Sequence, residues 1–148
     1  MLKLTKKTDY ALMALHFMAN QGEDIVANTR AISELYNIPL ELLAKILQRL
    51  VKKGIIVSQN GPKGGYALAK ETASITIGEV IKAIEGPIRI VRCHEGDSSC
   101  FQSNRCTVRG PLQKVEHHIV EFLDKITIDQ LYKDEAKDFL EIKEAMIV

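Results

Sequence analysis

Cys93, Cys100 and Cys106 are the chain's only cysteines, and they crowd into one stretch. Six residues separate the first pair and five the second. Thiolates are soft ligands suited to an iron–sulfur cluster or to zinc. An odd count in a single stretch is not a disulfide framework. The spacing is too long for a zinc knuckle, whose paired cysteines sit about two to four residues apart. Gly96, Ser98 and Ser99 make the stretch pliant enough to wrap a cluster, and Arg92, Arg105 and Arg109 can offset the negative charge of thiolate-ligated iron. The alternative is three unrelated free thiols in a flexible loop. Three cysteines also leave one ligand short of four. His94 adjoins Cys93, so both can hardly bind one iron without strain. His117 and His118 fall on a predicted helix, where a solvated face is the plainer reading, and His16 reads as structural.

A second set of residues could do recognition chemistry. Glu41, Lys45, Gln48 and Lys52 lie along one face of a predicted helix from Leu40 to Lys53, with Arg49 beside them, opposite the apolar stripe Leu43, Ile46, Leu47 and Leu50. Glu41, Ala44, Lys45, Gln48 and Arg49 are the expected DNA-facing set. Such side chains can reach base edges and phosphates. A shorter helix precedes it, capped by Asn28 or Thr29, with Ala31, Ile32 and Leu35 expected inward. Asn37-Ile38-Pro39 is a tight turn: Asn tolerates a left-handed backbone, Ile38 can plug the corner, and Pro39 suits a helix start. Helix, short turn, helix with a polar outer face is a helix-turn-helix. Gly54 ends the second helix. Ile55–Gln59 and Tyr66–Ala69 then read as strands around the glycine-rich turn 60–65, which makes a wing with Lys63 at its tip. Asn60, Gly61 and Gly64 complete the tip. Gly61, Gly64 and Gly65 do not form a phosphate-binding loop, because the Lys-Ser/Thr ending is missing. No Ser/His/Asp set, paired-carboxylate motif or nucleotide fingerprint is present, so no enzyme is expected.

The elements around these sets follow. A first helix starts after Thr5, with Ala11, Ala14, Leu15 and Met18 inward. Ile25-Val26-Ala27 reads as a very short strand. Thr76-Ile77-Gly78-Glu79 is a capping box that opens a helix with Val80, Ile81 and Ile84 inward, stopped by Gly86-Pro87. After Pro111, the stripe Leu112, Val115, Ile119, Phe122, Leu123 and Ile126 predicts a long helix. Such an apolar face needs cover, and a twofold-related copy is the simplest supply. A last helix is expected at about Lys133 to Met146. The predicted fold class is mainly α with a small β wing. Its segments are a winged helix-turn-helix domain (1–86), a cysteine-bearing loop (87–110), and a dimerisation helix with a C-terminal helix (111–148).

Charge supports a polyanionic partner. The chain of 148 residues carries a formal net charge of only +1. Residues 1–70 nevertheless hold 10 Lys/Arg against 5 Asp/Glu, and residues 71–148 hold 10 against 14. A basic first half with an acidic remainder points to DNA at the winged domain. The alternative is a winged fold that meets protein, with zinc on the cysteines. No run is long and apolar enough to span a bilayer. Asp9 and His16 interrupt the one segment that resembles a signal peptide, so a cytoplasmic protein is expected.

These residues together carry a resemblance. Leu4-Thr5-Lys6, Thr8-Asp9-Tyr10-Ala11, Leu47-Gln48-Arg49-Leu50 and Gly61-Pro62-Lys63-Gly64-Gly65-Tyr66 are its first carriers. Ile77-Gly78-Glu79-Val80-Ile81, Glu85-Gly86-Pro87, the cysteine triplet and Ile126-Thr127-Ile128-Asp129-Gln130-Leu131 complete it. The chain resembles the Rrf2 family of bacterial winged-helix transcription regulators, to about residue 132 and in its cluster-binding branch. The resemblance implies a homodimer on a pseudo-palindromic operator of double-stranded DNA. It also implies a repressor that responds to iron–sulfur status, redox or nitric oxide. Cys93, Cys100 and Cys106 would ligate an iron–sulfur cluster. The fourth ligand varies: some members use a His three residues past the last cysteine, where this chain has Arg109. Others use an Asp in the first helix of the other subunit, which matches Asp9; charge stabilisation of the first helical turn is its structural role otherwise. The extra residue between Cys93 and Cys100 leaves two-iron and four-iron clusters both open. Many members place Arg just before the wing tip, where Asn60 stands here, so the resemblance implies a different operator preference. A cluster-free regulator working by thiol oxidation remains the main alternative.

Overall fold

The apolar positions of the first helix recur at the α-helical period, and in the computed structural model they are sealed from solvent. The structure describes residues 3–22, 25–93 and 100–132. Helix α1 spans Lys6–Asn20 and buries Thr8, Ala11, Ala14, Leu15 and Met18. Thr5 occupies its N-cap position, but the Thr5 side chain makes no capping bond. Its backbone N–H donates instead to Glu85 Oε1 at 2.7 Å, and Thr8 Oγ1 donates to the same oxygen. A carboxylate from elsewhere in the chain thus sits at the positive end of the α1 dipole. Burial pushes the Glu85 carboxyl up, but the bonds from Thr8 and Thr5 outweigh it and hold the group below the usual carboxylate value.

Helix α2 (Thr29–Tyr36) begins where Asn28 accepts a bond from the Arg30 N–H at 2.8 Å. Asn37 takes the left-handed conformation, φ 52°, and Ile38 is buried beneath the turn. Ser33 Oγ donates to the Ile38 carbonyl and locks the corner. One expectation for this helix is corrected. Ala31 is exposed and Leu35 is 63% exposed; only Ile32 is buried. Ala31 and Leu35 are i, i+4 neighbours on one face, and α2 is rotated so that the adjacent Ile32–Tyr36 face meets the core.

Helix α3 (Leu40–Lys52) buries Leu43, Ile46, Leu47 and Leu50 as its stripe predicts. Gly54, at φ 73°, turns the chain into strand β1 (Ile56–Gln59), which pairs antiparallel with β2 (Gly65–Leu68). The register sets Ile56 against Leu68 and Gln59 against Gly65. Of the expected strand at 25–27, only Ala27 pairs: it exchanges both backbone bonds with Tyr66, at 2.7 and 2.9 Å. Gly65 permits this close approach, since a Cβ there would collide with the Ala27 carbonyl.

A short 3-10 turn (Thr72–Ser74) leads to helix α4 (Ile77–Glu85). Thr76 Oγ1 accepts from the Glu79 N–H at 3.1 Å, which is half of the capping box. The Glu79 carboxylate turns away to Lys70 Nζ at 2.6 Å. Helix α5 (Arg109–Lys125) starts two residues before Pro111. Proline is tolerated there because first-turn N–H groups lack intrahelical acceptors. A further helix, α6 (Ile128–Tyr132), follows at once. It opens with a complete capping box: Gln130 N–H donates to Thr127 Oγ1 at 3.2 Å, and Thr127 N–H donates to Gln130 Oε1 at 3.0 Å. The segments before α4 and α6 pair through Thr76 and Thr127, so both helices grow from one two-stranded bridge. The helix expected at 133–146 lies outside the described residues.

Among the described residues, two apolar clusters result. The larger joins α1, α2, α3, β1 and α4 and takes in Ile128 from α6. The smaller, Ile77, Ile81 and Ile126 with Phe122 and Leu123 against it, glues α5 to α4. Tyr132 reinforces the return of α6 to α1: its hydroxyl donates to the Leu12 carbonyl at 3.0 Å, and its ring stacks on His16 at 3.8 Å.

Candidate nucleic-acid interface and metal-ligating segment

The outer face of α3 is positioned by its inner one. With Leu43, Ile46, Leu47 and Leu50 buried, Glu41, Lys45, Gln48 and Arg49 emerge exposed and Ala44 is half-buried. Thr29 is half-buried in the first turn of α2. At the wing tip Asn60, Gly61 and Lys63 are exposed and Gly64 is half-buried. Gly61 adopts φ 114°, and the Gly64 N–H closes the turn onto its carbonyl at 2.9 Å. The two expected recognition elements are therefore both open to a ligand.

Arg49 has a second employment. Its Nη1 donates to the Ile84 carbonyl at 2.7 Å, in the last turn of α4. A guanidinium there satisfies an orphan helix carbonyl and complements the negative end of the α4 dipole. Arg49 thereby ties the polar face of α3 to α4. Beside it lies a concavity of about 290 Å³ lined by Lys7, Lys45, Gln48, Arg49 and Lys52 along with Leu42, Ile46 and Ile84. Lys7 is a functional candidate that the helix-turn-helix reading did not single out, and Lys52, expected on the polar face of that helix, was not among its DNA contacts. A signal did exist: Lys3, Lys6 and Lys7 cluster at the start of a helix, where the dipole disfavours cations.

Cys93, Cys100 and Cys106 are free thiols, each half-exposed. Cys93 follows a segment that is firmly held. Glu116 on α5 accepts the backbone N–H groups of Ile90 and Val91, the latter at 3.2 Å. The approach to the first cysteine is thus fastened to the long helix. Cys106 lies just ahead of α5, three residues before Arg109. Among the described residues, no three His, Cys, Asp or Glu side chains gather as a metal-sized group. His94 and the glycine and serines at 96, 98 and 99 lie outside the described residues. The donors fit iron or zinc by type. Asp9 stands in the first turn of α1, part-exposed, with Lys6 Nζ at 3.9 Å. His117 and His118 are exposed on α5 and both face Glu121, at 3.4 and 3.5 Å. No helix among the described residues is long and apolar enough to cross a membrane.

Comparisons with known proteins agree with this arrangement. The Rrf2 family model, described as iron-dependent transcriptional regulator, matches residues 4–134. The HTH-type transcriptional regulator IscR of Yersinia pestis is 33% identical over 141 residues, covering 95% of this chain and 84% of that protein. The HTH-type transcriptional regulator NsrR of Oceanobacillus iheyensis is 33% identical over 137 residues, covering 92% of this chain and 93% of that protein. Among solved structures, CymR, the global cysteine regulator of B. subtilis, superposes with a TM-score of 0.71 at 26% identity, over 90% of this chain and all of that one. T. potens IscR superposes with a TM-score of 0.69 at 26% identity, over 92% and 91% of the two chains. With its winged head, its polar α3 face and a family match across nearly its whole length, this chain belongs to the Rrf2 family of DNA-binding transcriptional regulators.

Proposed function

We propose that the chain forms a homodimeric repressor whose affinity for a pseudo-palindromic operator responds to an iron–sulfur cluster on Cys93, Cys100 and Cys106. The observation that carries this reading is the placement of the three free thiols. Cys93 directly follows the segment that Glu116 fastens to α5, Cys106 stands just ahead of α5, and α5 packs on α4 of the winged head. Bound there, a cluster would supply a redox- and nitric oxide-sensitive centre. Asp9, from the first helix of the second subunit, is the proposed fourth ligand, because this chain has Arg109 where a His would serve.

The chain's own contacts support a route from that segment to DNA. Glu116 joins residues 90–91 to α5. Lys82 on α4 grips the Asp124 carboxylate of α5, with Nζ–O distances of 2.8 and 2.6 Å. Arg49 of α3 grips the end of α4. A shift of residues 90–93 can therefore reach the α3 face through fastened elements. A ligand state that favours one arrangement by a few kcal/mol, on the order of 3, shifts the equilibrium between arrangements more than a hundredfold, enough to change operator occupancy strongly.

Anaerobic purification with iron and acid-labile sulfide counts tests the reading. Coloured protein with about two or four of each per subunit is the expected result, and the count decides the cluster type. Replacing each cysteine with Ala should abolish the colour and change DNA affinity. Asp9→Ala should leave a labile cluster if Asp9 is a ligand. Colourless protein after attempted reconstitution would sink the cluster reading. A reversible effect of peroxide on DNA binding would then favour thiol oxidation, and bound zinc would favour a structural metal.

A further inference from the structure

We infer that the concavity beside α3 is a seat for a phosphate of the DNA backbone, and that Lys7, on α1, is a DNA-contacting residue. This inference rests on the DNA-binding reading of the α3 face and extends it to a third element. Lys7, Lys45 and Lys52 line the same hollow of about 290 Å³, together with Gln48 and the Arg49 guanidinium. All five side chains are exposed. Among the described residues, Lys7, Lys45 and Lys52 have no acidic partner, whereas neighbouring Lys6 faces Asp9 at 3.9 Å. No carboxylate lines the hollow.

Clustered cations with no carboxylate among them repel one another, and Lys7 stands in the first turn of α1, whose positive end Glu85 already caps. Such an arrangement lowers stability unless an anion occupies it. The occupant is double-stranded DNA because the hollow shares Lys45, Gln48 and Arg49 with the face expected to enter the major groove. A helix lying in that groove is flanked by the phosphates of both strands, and a cation beside it meets one of them. Arg49 stays fixed by the Ile84 carbonyl, so its charge helps to form the seat without having to leave α4. Phosphate contacts carry no sequence information, so Lys7 would contribute affinity and register but no base preference.

The test is a salt titration of binding to several random-sequence duplexes, using the full chain. Each phosphate contact contributes about 0.9 to the slope of log affinity against log salt. Lys7→Ala should lower the magnitude of the slope by about one and weaken all duplexes by the same factor. Lys7→Arg should restore the slope, and Lys6→Ala should leave it unchanged. Lys7 is exposed, so a thermal midpoint no lower than that of the unsubstituted protein will show that the variant folds. An unaltered slope in Lys7→Ala, with a reduced one in Lys45→Ala, would overturn the inference while sparing the α3 interface. Saturable binding of inorganic phosphate that depends on Lys7, combined with an unaltered DNA slope, would reassign the hollow to a small anion and overturn it too. No DNA binding by the unsubstituted protein would remove the interface reading and this inference with it.

Discussion

Single side chains act here as fasteners between elements far apart in the chain. Glu85 is the clearest. It ends α4 and caps α1, accepting from the Thr5 N–H and the Thr8 hydroxyl. Burial alone would raise its pKa, but the bonds from Thr8 and Thr5 lower it below 4.5. The sign of the linkage follows. A carboxylate with a depressed folded-state pKa stabilises the fold above its unfolded pKa, and that contribution is lost as pH falls through the folded value. Glu85→Gln keeps the shape but loses the charge. Its thermal midpoint should lie below that of the unsubstituted protein at neutral pH, and the gap should close as pH falls from the ordinary carboxylate range through the lowered folded-state value. A gap that persists unchanged into acid would show that shape and not charge matters. Glu85 is exposed, so the effect should be modest.

At the scale of elements, the fold depends on how closely α5 can lie on α4. Gly78 sits in the first turn of α4 and is buried. A Cβ there would run into the Asp124 carboxylate and come within 3.0 Å of the Asp124 backbone nitrogen. The carboxylate cannot retreat freely, because Lys82 holds both its oxygens. Gly78→Ala should therefore cost about 1–3 kcal/mol through overpacking, despite alanine's better helix propensity. Chemical denaturation would register it as a lower midpoint. The paired Lys82→Met, which frees Asp124 to move, should recover part of the loss. Full tolerance of Gly78→Ala would mean that α5 is not seated against α4 as described.

For the whole molecule, the decisive feature is an incompletely covered helix. The last turns of α5 are packed on α4, but Leu112 and Val115 in its first half are 40% and 47% exposed. Leu4 is 44% exposed, and an apolar hollow of about 430 Å³ runs beside it along Ile81, Ile88, Ile119 and Leu123. A second copy laid against α5 would cover the exposed stripe. Introducing charge at the centre of such a contact, with Leu112→Glu and Val115→Glu together, should halve the mass in sedimentation equilibrium. The winged head should stay folded, because neither side chain belongs to its core. An unchanged mass would remove the proposed dimer helix and with it the shared ligand set.

Much of this architecture was legible without coordinates, where the signal is carried by neighbouring residues. The α3 stripe, the left-handed Asn37, the Gly54 stop, the wing around Gly61–Gly65 and the Thr76 cap all arise from periodicity and turn chemistry within a few residues. The cysteine stretch stood out for the same reason, since its spacing is visible along the chain. Leu35 misled because two turns of helix leave several rotations compatible with a buried stripe, and only packing against α3 and α1 selects one. The fasteners were invisible because their partners are remote. Arg49 and Ile84 lie 35 positions apart, Ile90 and Glu116 lie 26 apart, and Thr5 and Glu85 lie 80 apart. An exposed lysine at position 7 looks like any other until α1 and α3 are laid side by side. Local pattern determined the elements and their chemistry. Tertiary packing alone decided which side chains share a hollow, because charge and hydrogen bonding act through space and carry no trace of chain distance.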